Sequence, residues 1–292
     1  MRALLMHNPT SGDGDDPKAL ICEGLRESGY EPTYFSTDED EYKKAIETEK
    51  TDLIVIVGGD GTISKVLARA PDRSVPIAIL AAGTANNIAG SLGIEGAPEV
   101  HAKHLSGAPT KPLNVGIATG PWGEKRFLEG IGFGAFAKHL DGKAKGDTRE
   151  EELADARAML RDAIVAGRPE RFEIDVDGEK IVGDFLFVEV INIGSTGPAL
   201  LLSSDAEPGD GLLDIVYLPV DDRVAMTRWL EQDELEGPMP LKRTQGRCVS
   251  VVTEGGVLRR DDNVWFEPEK AQIIRISLED EPFQVLVPPP NR

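Results

Sequence analysis

The chain has 292 residues, too many for one small core, so two domains are expected. Hydrophobic residues make up 40% and aromatics 5%, the composition of an ordinary globular protein. The formal net charge is −19, with acids outnumbering bases 17 to 11 over residues 1–112 and 34 to 21 over the rest. Such a field repels nucleic acid, which is not an expected partner, and anionic lipid surfaces.

No apolar run approaches the ~18 residues that a membrane helix requires. Residues 1–12, MRALLMHNPTSG, lack an apolar stretch followed by a small-residue cleavage site, so no signal peptide is expected. Two cysteines, Cys22 and Cys248, supply neither a disulfide framework nor a metal cage, which fits a cytoplasmic protein.

Residues 1–7 read as a short buried strand, and NPTSGDGDD after it as a Gly/Asp-rich loop. Residues 17–28 follow as a helix with Pro17 near its first turn. EPTYF is a second strand and residues 40–48 a second helix. DLIVIV leads into the helix ISKVLARA, with Ile63, Val66, Leu67 and Ala70 on one face. VPIAILA and a helical NNIAGSL complete the run. Strands alternating with helices predict a mostly parallel sheet covered on both faces, an α/β domain over residues 1–112.

The alternation stops at SGAPTKP, residues 106–112, read as a domain boundary. Strand-like segments then dominate, from LNVGIAT and KRFLEGIGF to IIRISL and FQVLVP. One long helix interrupts them: Asp147 with Glu150 three residues on makes a capping-box-like start, and Gly167-Arg168-Pro169 a stop. Shorter helical signal covers residues 221–234. Residues 113–283 are thus expected to form a β-rich antiparallel sandwich or barrel.

Three loops in the first half carry chemistry. A strand running into Gly58-Gly59-Asp60-Gly61-Thr62 and then a helix is suited to phosphate, because glycines let backbone N–H groups approach its oxygens closely. Thr62 is expected to cap the helix, whose N-terminus adds favourable partial charge. Asp60 is the odd component beside phosphates. It makes sense if a cation lies between them or if it orients an attacking hydroxyl. NPTSG follows the first strand and AAGTANN, residues 81–87, another. In a parallel sheet such loops gather at the carboxyl edge, giving a nucleotide site lined by Asn8, Ser11, Asp60, Thr62, Thr84 and Asn86.

Here the chain resembles the diacylglycerol kinase catalytic domain, a family that includes bacterial lipid kinases and the sphingosine and ceramide kinases. The matching segments are NPTSG, GGDGTISKVL, AAGTANNIAGSLGI, GIGFGA (130–135), DAEPGDGLLDIVYL (205–218) and FEPEKAQIIRISLEDEPFQVLVP (266–288), in family order. The resemblance implies an ATP-binding α/β domain and a β-rich domain. It also implies a C-terminal strand within 284–292 that returns to the first domain.

Residue by residue, the resemblance implies ATP contacts from Gly58, Gly59, Asp60, Gly61, Thr62, Ile63, Ser64 and Lys65, from Gly83, Thr84 and Asn86, and from Asn8 and Thr37. It implies a Mg²⁺ ion held by Asp210 with Glu207 and Leu212, the latter two through backbone carbonyls. One carboxylate plus carbonyls is enough for a hard ion that retains waters. Glu267 matches the glutamate of the family's Asp-Gly-Glu-Pro run without gaps to VLVP and is the implied catalytic base, with Asp261 and Asp262 as rivals.

The chain also departs from the family: Asn87 replaces an aspartate, Gly134 stands where aspartate is common, Lys65 where glutamate is frequent, and Trp265-Phe266 where Asp-Gly is usual. The implied activity is an ATP- and Mg²⁺-dependent kinase acting on the hydroxyl of a lipid such as diacylglycerol. An NAD kinase shares the Gly-Gly-Asp-Gly-Thr element, and a nucleotide-binding regulatory protein without an acceptor site is the non-enzymatic alternative. A homodimer and transient contact with a membrane surface, through the basic run Lys138, Lys143, Lys145 and Arg149, stay open.

Overall fold

The computed structural model describes residues 1–11, 17–139, 148–197, 199–232, 239–261, 263–266 and 270–287. They divide into two units, Met1–Asn114 with the segment that begins at Asp280, and Val115–Glu279.

The first unit runs β1 (Arg2–His7), α1 (Lys18–Glu27), β2 (Glu31–Ser36), α2 (Glu41–Thr48), β3 (Leu53–Gly58), α3 (Asp60–Leu67), β4 (Ile77–Ala81), α4 (Asn87–Leu92), α5 (Pro98–Ala102) and β5 (Thr110–Leu113). A C-terminal strand, Phe283–Leu286, returns to it. The sheet order is β2-β1-β3-β4, then the C-terminal strand, then β5. β1 to β4 are mutually parallel. The C-terminal strand lies parallel to β4 and antiparallel to β5. β3 is buried along its whole length, which is why it reads as an unbroken apolar run instead of an alternation. Leu5, Ile21, Leu25, Val55 and Leu80 form the core between this sheet and its helices.

Two expectations change here. The boundary falls after SGAPTKP, at Asn114, because the last three residues of that run enter β5 and complete the first sheet. Pro112 is tolerated there because β5 is an edge strand, where a missing N–H breaks no central ladder. Helix α3 begins at Asp60, three residues before the apolar periodicity of ISKVLARA shows itself.

The second unit contains β6 (Gly116–Gly120), β7 (Gly123–Phe127), β8 (Gly130–Gly134), α6 (Ala135–His139), α7 (Arg149–Ala166), β9 (Glu170–Val176), β10 (Glu179–Ile191), β11 (Ser195–Thr196), β12 (Leu200–Leu201), β13 (Leu213–Pro219), α8 (Arg223–Leu230), β14 (Lys242–Gly246), β15 (Cys248–Thr253), β16 (Leu258–Arg260), β17 (Asn263–Phe266) and β18 (Gln272–Leu278). β11 and β12 pair with each other, and among the described residues the rest form one eleven-stranded antiparallel sheet. Its strands share a core around Phe133, Phe172, Val188, Ile215, Val251 and Ile274. A second core, around Phe136, Leu160, Phe187, Ile191 and Met226, involves α7 and α8. β10 serves both, since successive strand residues face opposite ways.

The long helix starts one residue later than the sequence suggests. Thr148 is its N-cap, accepting from Glu151 N–H at 3.2 Å, and the Glu151 carboxylate accepts from Thr148 N–H at 3.2 Å. Asp147 lies outside the described residues.

A buried ion pair crosses β8. Glu189 on β10 and Arg259 on β16 both stand opposite Gly132, and both are 0% exposed. Their side chains meet at 2.6 Å over the glycine, where a Cβ would collide with the Glu189 carboxylate. Arg259 also donates to the Asp261 carbonyl. Among the described residues no helix is long and apolar enough to cross a membrane.

Candidate functional site

The strand order reverses direction at β1 and β3: the chain leaves β1 for β2 on one side and then adds β3 and β4 on the other. Loops after β1 and β3 therefore part, and a crevice opens at the carboxyl edge, the usual ligand position in such sheets. A cavity of about 500 Å³ lies there, within the first unit. The loop after β1 supplies Asn8, Thr10 and Ser11, that after β2 Thr37 and Asp38, and that after β4 Gly83 and Thr84. The turn into α3 and the helix's outer face supply Gly59, Gly61, Thr62 and Lys65.

Glycine makes this convergence possible. A Cβ on Gly83 would lie 2.5 Å from the Cα of Gly59, so the two loops touch backbone to backbone and any side chain would part them. A Cβ on Gly58 would strike the Thr62 side chain at 2.6 Å. A Cβ on Gly61 would meet nothing within 4 Å, leaving that face of the first turn of α3 open to the cavity.

The expected cap is different. Gly59 occupies the N-cap of α3 without a side-chain bond, and Thr62 sits inside the first turn. Its amide bonds to the Gly59 carbonyl at 2.9 Å, and its hydroxyl accepts from Asn8 Nδ2 at 3.3 Å. Thr62 thus joins the loop after β1 to the helix.

Asp60 is 5% exposed, and its carboxylate accepts the backbone N–H groups of Asn87 and Ile88, each at 2.9 Å. An aspartate in the first turn of α3 so caps the first turn of α4. This arrangement explains the carboxylate beside a phosphate-type turn without a cation: two N–H dipoles and a helix N-terminus hold the charge. Asn86, at φ 53°, completes the latch through Gly83 N–H to its Oδ1 at 2.9 Å and its Nδ2 to the Gly83 carbonyl at 2.6 Å. Lys65 reaches back across the opening, its Nζ donating to the Thr37 carbonyl at 2.5 Å.

Of the residues read from sequence, Asn8, Ser11, Thr37, Gly59, Gly61, Thr62, Lys65, Gly83 and Thr84 line the cavity. Gly58, Asp60 and Asn86 hold its walls. Ile63 is fully buried in the core, and its N–H is taken by the Gly59 carbonyl. Ser64 is half-buried and does not line the cavity. Thr10 and Asp38 are additions. Thr10 lies between Asn8 and Ser11 and Asp38 follows Thr37, and the only signal was position at a strand's carboxyl end.

In the second unit, residues 205–212 form the loop before β13. Leu212 N–H donates to Asp210 Oδ1 at 2.8 Å, and Asp210 N–H to the Glu207 carbonyl at 3.4 Å. Glu207 and Asp210 are exposed. Among the described residues no three His, Cys, Asp or Glu side chains converge. The donor set nevertheless fits a hydrated hard cation, since one carboxylate and nearby carbonyls need only be supplemented by water.

Glu267 and Asp262 lie outside the described residues, as do Lys143 and Lys145 and the side chains of Lys138 and Arg149. Asp261, the other rival base, is 8% exposed, and its Oδ1 accepts the N–H groups of Leu128, Glu129 and Gly130 at 3.1, 2.8 and 3.4 Å. Burial pushes its carboxyl above the usual range, with these bonds opposing. It acts as a tie between β16 and the turn before β8.

The departures from family pattern have local causes. Trp265 packs edge-to-face on Trp122 at 4.3 Å with the Arg260 guanidinium 5.0 Å away. Gly134 adopts φ 83°, where a side chain would be strained and its Cβ would lie 2.6 Å from the Leu186 carbonyl.

Comparison with known proteins places this geometry. Residues 2–118 match the family model of the Diacylglycerol kinase catalytic domain. A Diacylglycerol kinase of Bacillus subtilis is 28% identical over 74% of this chain and 73% of its own length. A putative diacylglycerol kinase from Bacillus anthracis, 22% identical, superposes with a TM-score of 0.78 over 99% of this chain and 97% of its own. An NAD kinase from Archaeoglobus fulgidus, solved in complex with ATP, shares the fold at 18% identity with a TM-score of 0.56, covering 98% and 93%. Over residues 2–118 the chain is thus similar to the Diacylglycerol kinase catalytic domain.

Proposed function

We propose that this protein is a lipid kinase that transfers the γ-phosphoryl group of ATP to the hydroxyl of a lipid such as diacylglycerol. The observation that carries the reading is the cavity at the carboxyl edge of the first sheet, with its floor of apposed Gly59 and Gly83 and its open Gly61. Phosphoryl transfer needs positioning and charge neutralisation more than covalent chemistry, and these residues supply both. The Gly61 amide at the start of α3 and the Lys65 ammonium present positive charge to phosphates, and Asn8, Thr62 and Thr84 offer hydrogen bonds. Asp60 is a positioning residue that fixes α3 against α4. Glu267, by its place in the resemblance, accepts the proton of the lipid hydroxyl.

Asp210, with the carbonyls of Glu207 and Leu212, is the set that would hold Mg²⁺. When bound, the ion offsets negative charge on its loop or on a phosphate. Contact with a membrane surface would be transient, as the net charge of −19 disfavours standing attachment to anionic lipid.

The test is transfer of label from γ-labelled ATP to a panel of diacylglycerol, sphingosine and NAD, with and without Mg²⁺. Labelled phospholipid that requires Mg²⁺ is the expected result. Glu267→Gln should keep ATP binding and lower turnover by roughly 10²–10⁴-fold. Label on NAD alone would install the NAD kinase reading, which the shared fold and the Gly-Gly-Asp-Gly-Thr turn favour. ATP binding with no transfer to any acceptor would leave a nucleotide-binding regulatory protein.

A further inference from the structure

The loop of residues 205–212 contains neither helix nor strand, yet the chain on either side of it is fastened. Before it, Leu202 N–H and Ser203 N–H both donate to the Gly194 carbonyl, at 2.9 and 3.1 Å. After it, Asp214 lies in β13, 2% exposed, opposite Gln245 of β14. Arg243, two residues along β14, shares that face with Gln245, because alternate residues of a strand point the same way. The Asp214 carboxylate accepts from Ser203 Oγ at 3.0 Å, from Gln245 Nε2 at 3.1 Å and from Arg243 Nε at 2.5 Å.

The same guanidinium reaches the start of the loop. Arg243 Nη1 donates to Asp205, whose Oδ1 accepts from Ser204 Oγ at 3.1 Å. One side chain therefore joins Asp205 to Asp214 and closes a ring across the base of the loop. Inside that ring, Leu212 N–H holds Asp210 Oδ1 at 2.8 Å. Charge alone does not account for a guanidinium here, because a fixed positive charge beside a cation site repels the ion. Its shape does. A planar fork presents N–H groups in fixed directions and can grip two carboxylates at once, where an ammonium is only a point charge.

We propose that Arg243 is a positioning residue that staples the 205–212 loop into the shape in which Asp210 and the Glu207 and Leu212 carbonyls take a divalent cation. The inference rests on the reading of that loop as the Mg²⁺ site. A loop with free ends loses conformational freedom when it wraps an ion, and that loss lowers affinity. A loop already closed at its base loses less. Asp205 is exposed, so its pair with Arg243 adds little to global stability and acts on the loop itself. Opening the staple should thus weaken ion binding with little change in melting.

The test is Mn²⁺ binding to the full-length protein without ATP, read by loss of the free-ion EPR signal and by competition with Mg²⁺, which favours the same oxygen ligands. Wild type should bind an ion that Mg²⁺ displaces, and Asp210→Ala should lose it. Asp205→Asn and Arg243→Met should each weaken binding roughly three- to tenfold, as loss of preorganisation does. A purely electrostatic effect would move the two variants in opposite directions, weaker without the acid and tighter without the guanidinium. Should Arg243→Met not fold, Arg243→Met with Asp214→Asn removes both charges, leaves Ser203 and Gln245 their partner, and should show the same loss. Unchanged or tighter binding in Asp205→Asn, or in whichever Arg243 variant folds, overturns the proposal and leaves the metal loop standing. No Mn²⁺ binding by wild type, or binding that survives Asp210→Ala, overturns it together with the metal loop. Transfer of label from ATP is measured separately, so failure of the kinase reading is a distinct result.

Discussion

In the parallel unit, Gly59 and Gly83 let two loops meet backbone to backbone, and the space in front of them stays open at Gly61. In the antiparallel unit, Gly132 also makes room, but Glu189 and Arg259 fill it from inside the fold. Both stretches, GGDGT and GIGFGA, are glycine-rich turns of phrase in the sequence. One leaves a place for an outside ligand and the other houses a buried ion pair. What separates them is the neighbour that reaches the glycine, a backbone at the sheet's edge in the first and two long side chains in its interior in the second.

The largest expected effect tests the filled space. Arg259→Met leaves the Glu189 carboxylate buried without its partner and should cost about 3–5 kcal/mol in urea unfolding. Adding Glu189→Leu should return most of that loss, since removing both charges also removes the uncompensated one. A single-variant loss below about 1 kcal/mol would mean that the space over Gly132 is not sealed, and the contrast with the first unit would weaken.

Next in size is the clamp beside the open space. In Asp60→Asn one carboxylate oxygen becomes an N–H₂ donor facing a backbone donor, which should cost about 1–3 kcal/mol and loosen ATP binding together. Unchanged stability would show that α4 does not rely on Asp60. Gly61→Ala should separate the two properties: helix propensity raises stability by about 0.5–1 kcal/mol, while the new methyl intrudes where phosphate is proposed to sit. Retained ATP affinity in that variant would remove Gly61 from the site.

The smallest effect concerns pH. His101, 4% exposed in α5, is held below its usual pKa first by burial, with a contribution from His104 and an opposing bond from the Glu95 backbone. The unfolded chain then binds a proton that the folded chain resists, so stability is full above the unfolded pKa of about 6.5 and falls as pH drops below it. Thermal melting across that range should show a shallow acid slope that His101→Phe flattens. An equal slope in the variant would assign the effect to other groups.

Much of this is legible in the sequence. Alternating strands and helices up to residue 105 and the three loops at one sheet edge follow from periodicity and from glycine placement, which are local properties. The cap of α7 lies one residue beyond the expected one because Thr148 and Asp147 are both competent cap residues, and only the reciprocal bond with Glu151 chooses between them. The β5 strand inside SGAPTKP was invisible because its partner lies far along the chain, at Phe283–Leu286.

By itself, the sequence determined that this chain would build a glycine-floored edge on a parallel sheet, since close backbone approach is a property of the residues at that point. Tertiary structure decided what each charged group does there and elsewhere. Asp60 became a clamp on Asn87 and Ile88, Asp261 a tie to the turn before β8, and Glu189 a buried partner of Arg259. A carboxylate carries the same charge wherever it stands. Its role is set by the donors that come within about 3 Å, and in this fold most of those come from residues distant in sequence.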